Sequence, residues 1–300
     1  MTLLSGIRKV FIPAPAKVNL FLSVLGKRED GLHQLLTVLA KLKLHDLVSL
    51  ELTEKDNVTE IFCPGFSNIE NSQNLAVRIV DLWRLATGIN HGVRIVINKN
   101  IPMQAGLGGG SSDAVATLLG LNSLMKKKLK LEELHEIASA VGSDCPSFLI
   151  PGVCVASGRG EIVRGSGVPL LSSVSSKKVL LFKPHCGFST AEIYGNLKSS
   201  DFSYSNEEDA GKKISNWERG DIDLLSLMQN DLEVPVLQKY LFIEAMFEAL
   251  KEKFQLHAML CGSGSCCFAP IPDNLDLNPI RRFIEESWGD KIFITETQFV

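Results

Sequence analysis

The chain has 300 residues, 45% of them hydrophobic and 22% charged, which excludes a disordered chain and provides core for one large domain or two modest ones. A formal net charge of −3 gives no sign of a polyanion partner, since nucleic-acid binding brings a basic face; the one lysine cluster, KKKLK from Lys126 to Lys130, follows an expected helix and reads as its solvated end. The seven cysteines, Cys63, Cys145, Cys154, Cys186, Cys261, Cys266 and Cys267, are odd in number and scattered, without a C-x-x-C pair or nearby His ligands, and so point to reduced thiols in a cytoplasmic compartment.

The opening stretch, MTLLSGIRKVFIPAPAK, has no charged start followed by a long apolar region. No later segment approaches about 18 uninterrupted apolar residues, so neither an export signal nor a membrane span is expected. The runs KVNLFLSVLG and DLVSLELT read as strands, and Leu75, Ile79, Leu82 and Leu85 give Asn74 to Ala86 a helical period. GVRIVIN then alternates like a half-buried strand, and helices are expected over about Ser111–Leu124 and Leu131–Ala140. IPGVCVASGRGEIV reads as two short strands around a Gly turn and KKVLLFKP as another strand, while the polar run KSSDFSYSNEEDAGKK reads as a surface loop. Helical segments follow at Leu224–Asn230 and Phe242–Lys253, then strands at LHAMLCG, CCFAPI and KIFITETQF, with Cys266 and Cys267 as small buried hydrophobes. Strand runs mixed with helix runs, without regular βαβ alternation, imply an α+β protein of two lobes with a cleft between them.

The stretch IPMQAGLGGGSSDAVATLLGLN, from Ile101 to Asn122, places four glycines, Gly106, Gly108, Gly109 and Gly110, between a strand and a helix. Glycines admit positive φ and close approach to backbone N–H groups, and the helix start directs its free N–H groups and positive dipole end to the same place. That combination suits a phosphate chain. A dinucleotide fingerprint requires Gly where Ser111 stands, and a Walker loop requires a Gly-Lys-Ser/Thr that is absent. A ligand-free tight turn is the plainer alternative, but one turn needs only one or two glycines.

At this point the residues become recognisable. PMQAGLGGGSSDA, from Pro102 to Ala114, resembles the phosphate-binding motif of the GHMP kinase superfamily. The triple glycine followed by Ser-Ser is most similar to the branch that phosphorylates 4-diphosphocytidyl-2-C-methyl-D-erythritol. PAKVNLFLSVLGKREDGLHQL from Pro15, GSDCPSFL from Gly142 and LCGSGSCCFA from Leu260 complete four blocks in the order of that branch. The resemblance implies a two-lobed α+β fold: an N-terminal lobe like ribosomal protein S5 over residues 1–155, a ferredoxin-like C-terminal lobe over 156–300, and an active site in the cleft. It also implies transfer of a phosphoryl group from ATP to the 2-hydroxyl of the cytidyl substrate, in the non-mevalonate route to isoprenoid precursors. ATP is then the co-substrate and magnesium its companion, although no metal ligand stands out. The partners implied are the cytidyl diphosphate and ATP, with no nucleic acid or membrane, in a cytoplasmic monomer or weak homodimer.

By that resemblance Asp144 is the base beside the substrate hydroxyl and Lys17 the cation that keeps it ionised. Read alone, Asp144 before Pro146 is a helix cap and Lys17 a solvated strand lysine. Asn19 lies two residues from Lys17, on the same strand face, and is expected to orient substrate. The nucleotide would meet Pro102, Gly106, Leu107, Gly108, Gly109, Gly110, Ser111 and Ser112, with Asn74 and Lys99 near the adenine. Asn74 as a helix cap and Lys99 as an exposed strand end remain open. His33 falls in the block that recognises cytosine. The family carries an aromatic residue immediately before that His where this chain has Leu32, and Tyr194 falls where the other face of the base sandwich belongs. Thr190 is either a ligand of the substrate diphosphate or part of a helix cap, and Gly262 and Gly264 either a backbone wall near phosphate or a plain turn. Two rival functions stay in view. One is a GHMP kinase of the mevalonate or homoserine type, whose acceptors offer no base to sandwich. The other is a non-catalytic nucleotide-binding protein, against which the presence of both Lys17 and Asp144 speaks.

Overall fold

The computed structural model describes residues 9–125, 128–166, 174 and 177–300; the first eight residues of the opening stretch, and Lys126 and Lys127 of the lysine cluster, lie outside the described residues. In chain order the first half holds β1 (Lys9–Lys27), β2 (His33–Thr53), β3 (Thr59–Phe62), α1 (Leu75–Thr87), β4 (Gly92–Asn98), α2 (Gly109–Leu124) and α3 (Leu131–Val141). Then come β5 (Val153–Gly158), β6 (Ile162–Gly165), β7 (Lys178–Lys183), α4 (Thr190–Asn196), α5 (Glu207–Arg219), α6 (Leu224–Leu227) and β8 (Gln229–Asn230). The chain closes with α7 (Glu233–Lys239), α8 (Leu241–Phe254), β9 (Met259–Leu260), β10 (Cys267–Pro270), α9 (Asn278–Trp288) and β11 (Phe293–Gln298).

Packing groups these elements into two units that interleave along the sequence. The first takes residues 9–16, Leu44–Ile101 and Gly108–Leu149; the second takes Lys17–Lys43, Pro102–Leu107 and the described residues of Ile150–Val300. β1 and β2 are long enough to give part of their length to each.

In the first unit, β2 pairs antiparallel with β4 from Leu47↔Asn98 to Thr53↔Gly92, and β3 lies parallel to β4. Alternation along β4 buries Val93, Ile95 and Ile97 and leaves Arg94 exposed, as a strand with one covered face requires. The covered face meets Ile79, Val80 and Trp83 of α1, Val115, Leu118 and Leu121 of α2, and Leu134, Ile137 and Ala138 of α3. Helical spacing gives α1 and α3 one apolar stripe each, whereas α2 is buried almost all round from Ser112 to Leu118.

In the second unit the strands run β6-β5-β2-β1-β8, with β5 antiparallel to β2 from Leu35↔Gly158 to Ala40↔Val153 and β8 parallel to β1. A four-stranded antiparallel sheet, β11-β7-β10-β9, packs Leu180, Phe182, Cys267 and Ala269 against Ile193 of α4, Val236 of α7, Ile243, Met246 and Leu250 of α8 and Ile280 and Ile284 of α9.

Three expectations fail. The polar run from Lys198 to Lys213 is not a plain loop. It contains a 3₁₀ turn at Ser199–Asp201 and the start of α5. Asn206 caps that helix through Asp209 N at 2.9 Å, and Ala210, Ile214 and Trp217 form its buried stripe; two of those three residues lie past the end of the polar run, which hid the period. The segment Leu224–Asn230 is not one helix either, because α6 stops at Leu227 and Gln229–Asn230 joins β1 as β8. α2 begins at Gly109 rather than near Ser111.

Asp231, directly after β8, holds that junction. Its carboxylate accepts from Val24 N at 2.8 Å, Ser23 Oγ at 3.1 Å and Ser203 Oγ at 2.6 Å. Asp231→Ala strands these donors in a buried place and is expected to lower unfolding free energy by about 2 to 3 kcal/mol. Urea unfolding measures this, and an unchanged midpoint would remove the hub from the account.

Candidate functional site

The expected site residues divide between the two units. In the second unit, β1 points Lys17 and Asn19 to one face, and both are buried along with Thr37 of β2, at 5%, 3% and 4% exposure. Lys17 Nζ donates to Asn19 Oδ1 at 2.8 Å, Asn19 Nδ2 donates to Thr37 Oγ1 at 2.9 Å, and the Thr37 hydroxyl donates to the Phe21 carbonyl at 2.6 Å. This chain fixes the Asn19 amide, because only its oxygen faces an ammonium and only its nitrogen faces a hydroxyl already committed as donor. Lys17 is therefore a dry, oriented cation and not a solvated strand lysine.

Gly262, in the hairpin between β9 and β10, lies against this pair. With φ of 59°, it would place a Cβ 3.2 Å from Asn19 Oδ1 and 3.8 Å from Lys17 Nζ. Asn230 of β8 ties the hairpin down, its Nδ2 donating to the carbonyls of Leu260 at 3.2 Å and Gly262 at 2.8 Å. The residues from Pro102 to Leu107 join the same unit: Lys17 N donates to Leu107 O at 3.0 Å and Cys266 N to Ala105 O at 3.2 Å. A Cβ at Gly106 would fall 1.8 Å from the Cys261 carbonyl oxygen. So the chain's own packing requires glycine there, independently of any ligand. Gly264 is similar, with φ of 82° and the Phe188 ring 2.8 Å from a Cβ.

Thr190 is the first residue of α4, while Ser189 caps it by accepting from Glu192 N. The Thr190 hydroxyl is thus spared for Ser263 Oγ, at 2.9 Å, on the Gly262 hairpin. His33 and Tyr194 stack on each other, centroids 5.1 Å apart and planes at 29°. Burial, aided by the charge of Lys27, holds the His33 imidazole below its ordinary pKa, so the ring is neutral at pH 7 and offers one donor and one acceptor. Leu32 beside it is exposed.

In the first unit, Gly108 caps α2 in the left-handed region, φ 70°. Gly109 has Ile101 and the Lys99 ammonium 3.2 and 3.4 Å from a would-be Cβ, whereas Gly110 has nothing within 4 Å. Ser112 Oγ is buried with no partner among the described residues. An open backbone, free helix N–H groups and an unpartnered hydroxyl together fit an anion. The Ser111 hydroxyl hydrogen-bonds the Cys145 thiol, which burial pushes up to about 11 with a further push from Asp144; the first turn of α2 and Asp144 thus meet around an inert thiol. The Asp144 carbonyl accepts from Ser147 N and Oγ, closing the 3₁₀ turn Cys145–Leu149. Among the described residues no cluster of three or more His, Cys, Asp or Glu is arranged for a metal ion.

Asn74 is a helix cap, its Oδ1 accepting from Ala76 N and its Nδ2 donating to Ile69 O, both at 3.0 Å. Lys99 is not an exposed strand end. Its side chain is 4% exposed and donates to Asp46 at 2.5 Å and Asp113 at 2.7 Å. Sequence reasoning passed over Thr37, Asn230, Ser263, Asp46 and Asp113, and only the last had a signal, by adjoining the Ser-Ser pair.

Residues 74–152 match the family described as GHMP kinases N terminal domain, and residues 214–290 match GHMP kinases C terminal. The chain is similar to the 4-diphosphocytidyl-2-C-methyl-D-erythritol kinase of Thermodesulfovibrio yellowstonii, 35% identical over 91% of this chain and 93% of the relative. The enzyme of that name from Caldanaerobacter subterraneus is 38% identical over 88% and 89%. A crystal structure of 4-(cytidine 5'-diphospho)-2C-methyl-D-erythritol kinase, 29% identical, superposes with a TM-score of 0.73 over 96% of this chain and 99% of that one. Homoserine kinase from Cytophaga hutchinsonii, 18% identical, shares the fold with a TM-score of 0.74 over 99% and 98%.

The two glycines separate by experiment. Gly106→Ala is expected to destabilise the protein by about 2 to 4 kcal/mol, through backbone strain and collision with a carbonyl that cannot rotate away. Gly110→Ala, facing open space, is expected to melt with the parent. Equal melting temperatures for the two variants would contradict the packing described for Gly106.

Proposed function

The chain belongs to the 4-diphosphocytidyl-2-C-methyl-D-erythritol kinases, a branch of the GHMP kinases, and from that premise we propose how its residues perform the reaction of that branch. It phosphorylates the 2-hydroxyl of 4-diphosphocytidyl-2-C-methyl-D-erythritol with ATP, giving the 2-phosphate and ADP, in the non-mevalonate pathway of isoprenoid precursor synthesis. Identity of 35 and 38% across nearly the whole length of two enzymes bearing that name is the observation that carries this reading.

Phosphoryl transfer is mostly positioning and charge stabilisation, with little covalent work for the protein. Asp144 takes the proton of the 2-hydroxyl. Lys17, buried and aimed by Asn19 and Thr37, offsets charge developing on the transferred group. The nucleotide phosphates lie along Gly108, Gly109 and Gly110 and the first turn of α2, where the open backbone at Gly110 and the unpartnered Ser112 hydroxyl support the assignment. Magnesium, when bound with ATP, neutralises phosphate charge, and no protein ligand is assigned to it. Pro102, Gly106 and Leu107 shape the loop's approach, while Asn74 and Lys99 support the nucleotide side from their bonds to protein.

The cytosine is read by His33 at its edge and by Tyr194 at its face. Rings 5.1 Å apart are in direct contact, so the base lies outside the His33–Tyr194 pair, with Leu32 as an apolar wall. Gly262, Gly264 and Thr190 line the diphosphate. We place the N-terminal kinase domain in residues 1–155 and the C-terminal one in 156–300, which is supported by the two family matches falling on either side of that division. The reading includes a cytoplasmic location, for which the described cysteines, all free, speak, and a monomer or weak homodimer.

A phosphoryl-transfer assay offering the cytidyl substrate beside mevalonate and homoserine is expected to show turnover of the cytidyl substrate alone. Asp144→Asn should keep ATP affinity near that of the parent and lower kcat by two or more orders of magnitude, about the range of general-base catalysis. Retention of most turnover would exclude Asp144 as base. Leu32→Tyr should lower the KM of the cytidyl substrate by an amount equivalent to about 1 kcal/mol or more of base stacking, and an unchanged or higher KM would count against Leu32 facing the base.

A further inference from the structure

Beneath the start of α2 lies a buried charge cluster whose two carboxylates, Asp46 and Asp113, have no part in the mechanism above. Asp46 of β2 is 0% exposed. Its Oδ1 accepts from the backbone N–H groups of Asn100 at 2.5 Å and Ile101 at 2.8 Å, and its Oδ2 from Lys99 Nζ at 2.5 Å. The same ammonium donates to Asp113 Oδ2 at 2.7 Å. One lysine therefore links the segment that leads into the glycine loop with the helix that leaves it.

Two buried carboxylates facing one ammonium is a costly arrangement, because ions taken out of water recover their solvation only with complete partners. The partners here are incomplete: Asp113 Oδ1 and the neighbouring Ser112 Oγ have none among the described residues. Burial pushes the Asp113 carboxyl up to about 7 against the pull of Lys99, with Asp46 pushing in the same direction. An apolar trio would hold strand to helix more cheaply. What an apolar trio lacks is direction, since a hydrogen-bonded ion cluster fixes both ends of a loop to within the tolerance of its bonds. Gly109 carries the same message. The Lys99 ammonium lies 3.4 Å from where its Cβ would stand, so the cluster reaches to the backbone of the loop itself.

We propose that Asp46, Lys99 and Asp113 are positioning residues for nucleotide phosphate binding: they set the spacing between Ile101 and the first turn of α2, and so aim the N–H groups of residues 108–111, since that of Ser112 already donates to Gly108 O. This rests on the reading of that loop as the ATP phosphate cradle. Lys99 thereby acts through the two carboxylates and not as a direct ligand of the nucleotide.

Asp113→Asn keeps the shape and an acceptor for Lys99 while removing the charge. Steady-state kinetics should show the KM for ATP raised about tenfold or more, the scale on which small misplacements of a binding loop act, while the KM for the cytidyl substrate stays within about twofold. Asp46→Asn should behave alike. Lys99→Arg, which keeps both ion pairs, should restore most of the ATP affinity lost in Lys99→Met. A lower melting temperature with both KM values unchanged would show a structural role only and overturn the proposal. So would an ATP defect in Lys99→Arg as large as in Lys99→Met, which would make Lys99 a direct ligand. If Asp113→Asn does not fold, the Lys99 pair decides by the same readings. Should the parent protein saturate with ATP while Gly110→Ala and Asp113→Asn both leave its KM untouched, the cradle reading falls together with the proposal; a defect in Gly110→Ala alone keeps the cradle and rejects the cluster.

Discussion

A buried ammonium must be hydrogen-bonded, and the way this protein meets that requirement at two lysines organises the polar groups around them. Lys17 bonds to Asn19, which Thr37 orients. Lys99 is held between Asp46 and Asp113. Both have lost nearly all contact with water, where a lysine is otherwise free to sample many rotamers. The cost of desolvation is offset in each case by bonds that also fix direction. In the second unit that direction serves a cation facing the Gly262 hairpin, and in the first it serves the turn from which α2 begins.

The glycines of the long loop divide the work in a way their uniform chemistry conceals. Gly106 is glycine because the Cys261 carbonyl occupies the place of its side chain, Gly108 because the helix start needs a positive φ, and Gly109 because Ile101 and Lys99 crowd it. Gly110, by contrast, looks onto open space. A phosphate-binding loop must itself be held still, since disorder in the cradle would be lost on binding as conformational entropy. Gly106 and Gly109 permit close packing, Gly108 the turn into α2, and Gly110 leaves its backbone bare.

The surface around the Gly262 hairpin follows the same logic with different groups. Asn230, reached only because two residues of β8 join β1, pulls the Gly262 hairpin toward Lys17 and Asn19. Thr190 is released from helix capping by Ser189 and bonds Ser263 on that hairpin. Tyr194, one turn further along α4, stacks on His33. A short helix, a two-residue strand and a hairpin are thereby bound into one surface, and each alone is too small to hold its shape in water.

Local pattern carried much of this protein. The period of Leu75, Ile79 and Leu82, the alternation of GVRIVIN and the glycine run before Ser111 each express physics that acts between near neighbours, so α1, β4 and the glycine turn into α2 are legible in the chain, and four motif blocks in order identify the family. The α5 helix escaped because its buried stripe continues past the polar run that signalled a loop. Which polar groups are dry was not legible. Asp46 and Lys99 are 53 residues apart, Asn230 and Gly262 are 32 apart, and nothing local to any of them distinguishes a buried network from a solvated surface. The sequence by itself determined the reaction class and most of the elements, through residue type and spacing. Tertiary structure decided which lysine is sequestered by carboxylates and which glycine serves the protein's own packing, because burial and partners depend on segments that meet only once the chain has folded.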